Sequence, residues 1–199
     1  MTTQSSKKYR RLMEKAKELF FTQGYKRVTM DEIAAEAGIS KMTIYKYFSS
    51  KEDLLLEVII QWSDQILSII HADLDKIPTA VEKIEYMFSF GASVSKEMPF
   101  VLYKDIMESP YIIARLGEYK KKEVLVLWKN ILEEGVNKGE MRPMDVDFVS
   151  HFLSDLTENI DWQRIFANPY YLNEEKGVSW LVENIYDFFK YGLLGRGKG

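Results

Sequence analysis

Apolar residues recur along this chain at helical spacing, and the polar residues between them mark where each helix starts and stops. Leu12, Ala16, Leu19 and Phe20 form one stripe and predict a first helix over residues 7–23, ended by Gly24. Tyr25 and Val28 then fall where the chain packs under the next segment. From Thr29 to Phe48 the pattern reads helix, tight turn, helix. Thr29 followed by Glu32 is a capping-box pattern, and Ile33, Ala34 and Ala37 share one face. Gly38 stands where a left-handed backbone ends a helix at least cost. Ile39 is a buried-type residue in the turn. Ser40 caps a second short helix whose inward residues are Ile44 and Phe48. Lys41, Met42, Thr43, Tyr45, Lys46 and Tyr47 are left facing outward. That basic, hydroxylated and aromatic face suits a groove lined with phosphates, in helix-turn-helix geometry. Two short capped helices also occur in helical proteins that never touch DNA, so other features must decide.

The rest of the pattern is helical too. Leu54, Leu55, Val58, Ile59, Trp62, Ile66, Ile69 and Ile70 predict a long helix from Lys51 to Asp75, a rigid connector leaving the motif. Pro78 suits the first turn of a helix running to Lys96. Pro99 and Pro110 bracket a short helix containing Tyr103 and Met107. Residues 112–137 predict another long helix, with Pro143 in the following loop. Asp145 is placed to cap a helix running to Ala167, and a last helix spans Val178–Tyr191. The helix from Asp145 carries an aromatic stripe (Phe148, Phe152, Asp155, Asn159, Trp162, Phe166), an aliphatic one (Val149, Leu153, Leu156, Ile160) and a small polar one (Ser150, Ser154, Thr157, Asp161). Two apolar faces imply two packing partners: its own core, and a cavity or a second subunit.

Composition narrows the picture. The chain has 199 residues, 46% hydrophobic and 29% charged, enough for a large core and two small domains. It has no cysteine, which excludes disulfides and thiolate metal sites and fits a reducing cytoplasm. The polar, basic start shows no apolar signal segment. The most apolar run, Leu54 to Ile60, is expected to be too short for a bilayer. Charge is uneven. Residues 1–50 hold ten Lys/Arg and five Asp/Glu, a net of +5, and the remainder holds 27 − 10 = 17 against 30 − 5 = 25, a net of −8. A basic head on an acidic body points to a polyanion bound by the head alone.

The stretch VTMDEIAAEAGISKMTIYKYFSSKEDLLLEVI resembles the N-terminal DNA-binding domain of the tetracycline-repressor (TetR) family. The likeness is specific from Tyr9 to about Ile60; beyond it only length and helicity match. The resemblance implies an all-α protein with a three-helix DNA-binding domain at residues 1–50. A larger helical domain for ligand binding and dimerisation would follow at 51–199. It implies that Thr29, Tyr45, Tyr47 and Lys51 contact phosphate. Ser40, Lys41, Met42, Thr43 and Lys46 would enter the major groove. Elementary chemistry agrees: hydroxyls and cations set register on the backbone, a lysine can donate to guanine O6 or N7, and Met42 can touch a thymine methyl. Lys51, after Ser49 and Ser50, sits beside the free N–H groups of the next helix. Either tyrosine could instead be a packed aromatic, Tyr45 more readily than Tyr47. Met42 departs from the small residue frequent in the family, so the operator sequence does not follow by analogy. The family's dimer is a four-helix bundle made by the last two helices.

No catalytic constellation appears. His71 and His151 fall on separate predicted helices, and no phosphate-binding glycine loop follows a strand. No enzyme activity, metal or cofactor is expected. Candidates for an effector cavity are Trp62, Phe88, Tyr103, Met107, Trp128, Phe152, Asp155 and Asn159, although each singly is also ordinary core. Asp155 among aromatics would favour a cationic lipophile. The expected protein is therefore a cytoplasmic, nucleoid-associated homodimeric regulator without a membrane partner. It would bind a palindromic double-stranded DNA operator as a repressor and be released by a small lipophilic effector. Activation, an all-α protein-interaction module and a small all-α enzyme are the alternatives.

Overall fold

In the computed structural model, residues 3–159 are described together with Tyr170, Trp180, Glu183, Asn184 and Asp187. The expectations placed on the last helix, on Trp162 and on Phe166 lie outside the described residues, as do the side chains of Phe88 and Asn159. The described chain is helical, with no strand among these residues: α1 (Thr3–Gln23), α2 (Met30–Ala37), α3 (Lys41–Tyr45), α4 (Lys51–Leu74), α5 (Ala80–Glu97), α6 (Phe100–Met107), α7 (Pro110–Asn137) and α8 (Val146–Asn159). The all-α expectation holds.

Local chemistry explains most boundaries. Gly24 ends α1 at φ 83°, and Gly38 ends α2 at φ 62°, both left-handed conformations that cost a side-chain-bearing residue about 1–2 kcal/mol. Asp145 Oδ1 accepts the Phe148 amide at 2.9 Å and starts α8. Two boundaries differ from expectation. α1 begins at Thr3, well ahead of the apolar stripe that starts at Leu12, because nothing in Thr3–Ser6 breaks a helix. Pro78 lies outside α5; Thr79 caps it instead, with Thr79 Oγ1 accepting the Glu82 amide at 3.2 Å.

The chain forms two compact units, Met1–Ile66 with Met98–Leu116, and Leu67–Glu97 with Gly117–Gly199. The first unit gathers α6 and the start of α7 with α1–α3, which a division at residue 50 does not anticipate. Its core holds Leu12, Phe20, Val28, Ile33, Ile44, Leu54, Leu55, Ile59, Leu102 and Ile112, all with essentially no exposed surface. Burying each such Leu, Ile, Val or Phe contributes about 1.5–3 kcal/mol. In the second unit Leu127, Trp128, Ile131, Leu132, Met141 and Leu153 are buried. Glu140 accepts the Ala80 amide at 2.6 Å, and Lys83 pairs with Glu134 at 2.5 Å, fastening α5 to α7 and its following loop. On α8 Ser150 and Ser154 of the small polar stripe are buried, at 0% and 2% exposure, while Phe148 and Phe152 are exposed.

α4 extends the apolar run of Leu54 to Ile60 over a longer helix. It is long enough to cross a membrane, and its most apolar eighteen residues have a mean hydropathy of 1.2. Its apolarity is put to use in the fold: Leu54, Leu55, Leu56, Val58, Ile59 and Trp62 are all buried.

Candidate nucleic-acid interface

The helix-turn-helix is built as its residues dictate. Thr29 Oγ1 accepts the Glu32 amide at 3.2 Å, and Glu32 Oε2 accepts the Thr29 amide at 2.7 Å, closing the capping box. These bonds hold the Glu32 carboxyl below its ordinary range. The Thr29 hydroxyl also donates to Glu32 Oε2 at 2.8 Å, so its one hydrogen is spent within the cap. Gly38 closes α2, with its amide donating to Ala35 O and the Ile39 amide to Ala34 O. The Arg11 guanidinium lies against this end; a Cβ on Gly38 would come within 3.1 Å of its Nη2. A cation there favours the negative end of the α2 dipole. Ser40 Oγ then accepts the Thr43 amide at 3.2 Å and starts α3. Ile44 and Phe48 point inward as expected, with Ile39 partly buried beside them.

α3 is short, ending at Tyr45 with Lys46 as its C-cap. Met42 is 71% exposed at its N-terminal turn, and Lys41, Tyr45 and Lys46 are exposed as well. Lys46 makes no ion pair among the described residues. Lys41 does: its Nζ lies 2.8 Å from Asp31 Oδ2 in the first turn of α2, a hydrogen bond that raises the Lys41 pKa.

The two tyrosines divide opposite to expectation. Tyr45 is 46% exposed, whereas Tyr47 packs against the core. The Tyr47 ring meets Tyr9 edge-on at 5.4 Å, and its hydroxyl lies 2.9 Å from Ser5 Oγ. The α1 extension that carries Ser5 supplies this partner, and nothing in the local pattern around Tyr47 announces it.

Lys51 is turned inward. Its ammonium donates to the carbonyls of Tyr25 and Val28, each at 2.8 Å, and lies 4.3 Å from the Tyr25 ring centre. Burial lowers its pKa. Two of its three hydrogens are thus engaged in holding the loop before α2, leaving one for a phosphate.

A second set of contacts has no sequence signal. α6 and the start of α7 fasten onto the head. Asp105, 7% exposed, accepts the Lys26 amide at 3.0 Å, and Glu108 pairs with the Lys26 ammonium. Ser109 donates to Glu52, and the Tyr111 hydroxyl donates to Asp53 at 2.8 Å. Gly24 permits the approach: a Cβ there would lie 2.6 Å from Val101 Cγ1.

The effector candidates fall in both units, Trp62, Tyr103 and Met107 in the first and Trp128, Phe152 and Asp155 in the second. Trp62 is buried edge-on to Phe21 and borders a groove of about 300 Å³ between α1 and α4, lined also by Tyr9, Arg10, Met13, Glu14, Lys17, Val58, Gln61 and Gln65. No other candidate lines it. Tyr103 and Met107 are half-buried on α6, and Trp128 is buried in the second unit. Phe152 is 49% exposed, and Asp155 is exposed one turn further along α8.

A capped helix-turn-helix presenting an exposed basic and hydroxylated helix on a net-positive segment defines a DNA-binding protein of the regulator class. The comparisons agree. Residues 12–58 match the family described as "Bacterial regulatory proteins, tetR family". The chain is 32% identical over 151 residues to the HTH-type transcriptional repressor KstR2 of Mycolicibacterium smegmatis, covering 73% of this chain and 74% of that protein. It is 27% identical over 142 residues to the fatty acid metabolism regulator protein of Bacillus subtilis, covering 70% and 73%. The fold matches the crystal structure of the Bacillus subtilis regulator FadR in complex with stearoyl-CoA at a TM-score of 0.67, with 22% identity over 94% of this chain and 98% of that one. The chain belongs to the tetR family of bacterial regulatory proteins, a family of DNA-binding transcriptional regulators and not of enzymes.

Proposed function

We propose that the protein is a ligand-responsive repressor that binds a palindromic operator as a homodimer. Residues 1–50 would read DNA, and residues 51–199 would bind the effector and dimerise. It would work in the cytoplasm, on the chromosome. The observation that carries this reading is the outward face of α3, with Lys41, Met42, Tyr45 and Lys46 exposed and Thr43 half-buried on a capped turn. Two such heads related by a twofold axis call for half-sites about 34–36 Å apart, or a multiple of that.

The dimer assignment is supported by α8. Phe148 and Phe152, 67% and 49% exposed, stack on each other with ring centres 6.3 Å apart and planes 9° apart. A stacked aromatic pair left open on one helix face is suited to pairing with the same face of a second copy. For the effector we propose a lipophilic acyl compound. The support is likeness to a regulator of fatty acid metabolism and to the fold that holds stearoyl-CoA in FadR. The exposed position of Asp155 gives no support to a cationic ligand.

Coupling would run through α4, which is unbroken from Lys51 to Leu74, and through the clamp of Asp105, Glu108, Ser109 and Tyr111 on the head. An effector that favours a different α4 or α6 position would change the spacing of the two α3 helices. Operator DNA would then weaken effector binding by the same factor by which the effector weakens DNA binding.

The test is selection of bound duplexes from a random pool at two salt concentrations, with Lys46→Ala as control. Enrichment of a palindrome, a steep salt dependence and a relaxed base preference in Lys46→Ala are expected. Absence of any enriched sequence at low salt refutes the reading and favours a protein-interaction module.

A further inference from the structure

Lys41 and Asp31 stand on different helices, yet Lys41 Nζ lies 2.8 Å from Asp31 Oδ2. The pair is on the outward surface, with side chains 45% and 72% exposed, beside the 71% exposed Met42. An ion pair so exposed contributes little to stability. Its place on the reading surface gives it another use.

An unrestrained lysine is a mobile point charge, and next to DNA it is drawn to whichever phosphate is nearer. Asp31 changes both halves of that statement. It takes one of the three ammonium hydrogens and holds the ammonium beside the first turn of α2, leaving two hydrogens for other acceptors. Its own charge cancels much of the attraction between Lys41 and the phosphate backbone. A directional bond to a base edge survives such cancellation better than a phosphate contact does, because its worth lies in geometry. The O6 and N7 atoms of one guanine offer two adjacent acceptors in the major groove. The position of Asp31 is itself determined, because the Thr29–Glu32 capping box sets the start of α2.

We infer that Asp31 is a positioning and specificity-determining residue, which holds the Lys41 ammonium for a guanine edge and withholds it from phosphate. The inference rests on the reading of α3 as the base-reading helix. It adds the Asp31–Lys41 pair to the base-discriminating groups of that helix, beside Lys46, which has no ion pair among the described residues.

The experiment compares wild type, Asp31→Asn, Lys41→Met and the double variant. The probes are the duplex that wild type enriches from a random pool, its single-base-pair variants and a scrambled duplex of equal length. Asp31→Asn should bind the scrambled duplex roughly threefold to tenfold more tightly at low salt. Its dependence of log K on log salt should steepen by about one unit, as Lys41 becomes a phosphate contact. Its preference at one base pair in each half-site should fall about tenfold. Lys41→Met should lose the same preference, and adding Asp31→Asn to it should change that preference no further. The inference is overturned if Asp31→Asn tightens binding to every duplex by one common factor, or if it alters base preference equally with and without Lys41. If wild type enriches no duplex at all, the reading of α3 falls, and the inference with it. Enrichment by wild type with unchanged preferences in Asp31→Asn sinks the inference alone.

Discussion

Replacing Lys51 by methionine separates two roles for one ammonium group. In the folded protein Lys51 Nζ donates to Tyr25 O and Val28 O, both at 2.8 Å, with the Tyr25 ring centre 4.3 Å away. A hydrogen bond from a charged donor contributes about 1.5–3 kcal/mol, and a half-exposed cation–π contact about 0.5–1 kcal/mol. Two effects oppose these gains. Burial lowers the Lys51 pKa, so the site holds the cation at a desolvation cost. Lys51 is also the first residue of α4, where the helix dipole disfavours a cation by about 0.3–1 kcal/mol. Methionine keeps the apolar stem and leaves two carbonyls to find water. The net loss is about 2 kcal/mol, which lowers the melting temperature of a chain this size by roughly 4–8 °C. Thermal unfolding followed by circular dichroism reads the shift. The salt dependence of DNA binding should change little beyond the weakening from a loosened loop. A melting shift below about 1 °C, together with a salt slope reduced by about one unit, would refute the reasoning and return Lys51 to the phosphate contacts.

Gly24→Ala meets both a left-handed backbone, φ 83°, and the Val101 side chain at 2.6 Å; a loss of about 1–3 kcal/mol is expected in chemical denaturation, and wild-type stability would contradict it. Phe148→Glu should shift the protein from dimer to monomer in sedimentation without lowering its helix content; an unchanged dimer places the interface elsewhere. Hydrogen bonds from Ser49 and then Tyr111 lower the Asp53 pKa from its ordinary 3.8. A carboxylate with a depressed folded-state pKa stabilises the fold above its unfolded value, and that contribution is lost as pH falls through the folded one. Asp53→Asn should therefore be less stable than wild type at neutral pH, and the gap should close only below about pH 4, as measured by denaturant titration across pH. A gap that stays constant down to pH 2, by the same linkage, would mean the carboxylate charge is not what the hydroxyls hold.

The Lys51 result also bears on how the head is tied to the rest of the chain. The loop from Tyr25 to Val28 is gripped from two sides, by the Lys51 ammonium and by Asp105 and Glu108 acting on Lys26. This loop leads directly into Thr29, the cap of α2. A change in α6 therefore reaches Lys26 through these bonds, three residues before the start of the reading motif. Sequence pattern shows the motif and the short helix between Pro99 and Pro110, but not that they touch.

Short-range chemistry was legible in the amino-acid sequence: the capping box at Thr29 and Glu32, the left-handed stop at Gly38, the cap at Ser40, the inward pair Ile44 and Phe48, and the lengths of α4 and α7. Each depends on residues within one or two turns of each other, where spacing alone dictates geometry. The exposed α3 face followed by elimination. Tertiary structure decided which polar groups on that face were already engaged. Lys51 reaches back to carbonyls more than twenty residues earlier, Tyr47 finds Ser5 across the α1 extension, and Asp31 takes Lys41 from a neighbouring helix. The effector candidates show the same limit from the apolar side. An aromatic at helical spacing has one signature whether it fills a core, as Trp128 does, or is half exposed on a helix face, as Phe152 is. Periodicity orders residues around one helix axis, and only the packing of other helices against that axis determines what each face meets.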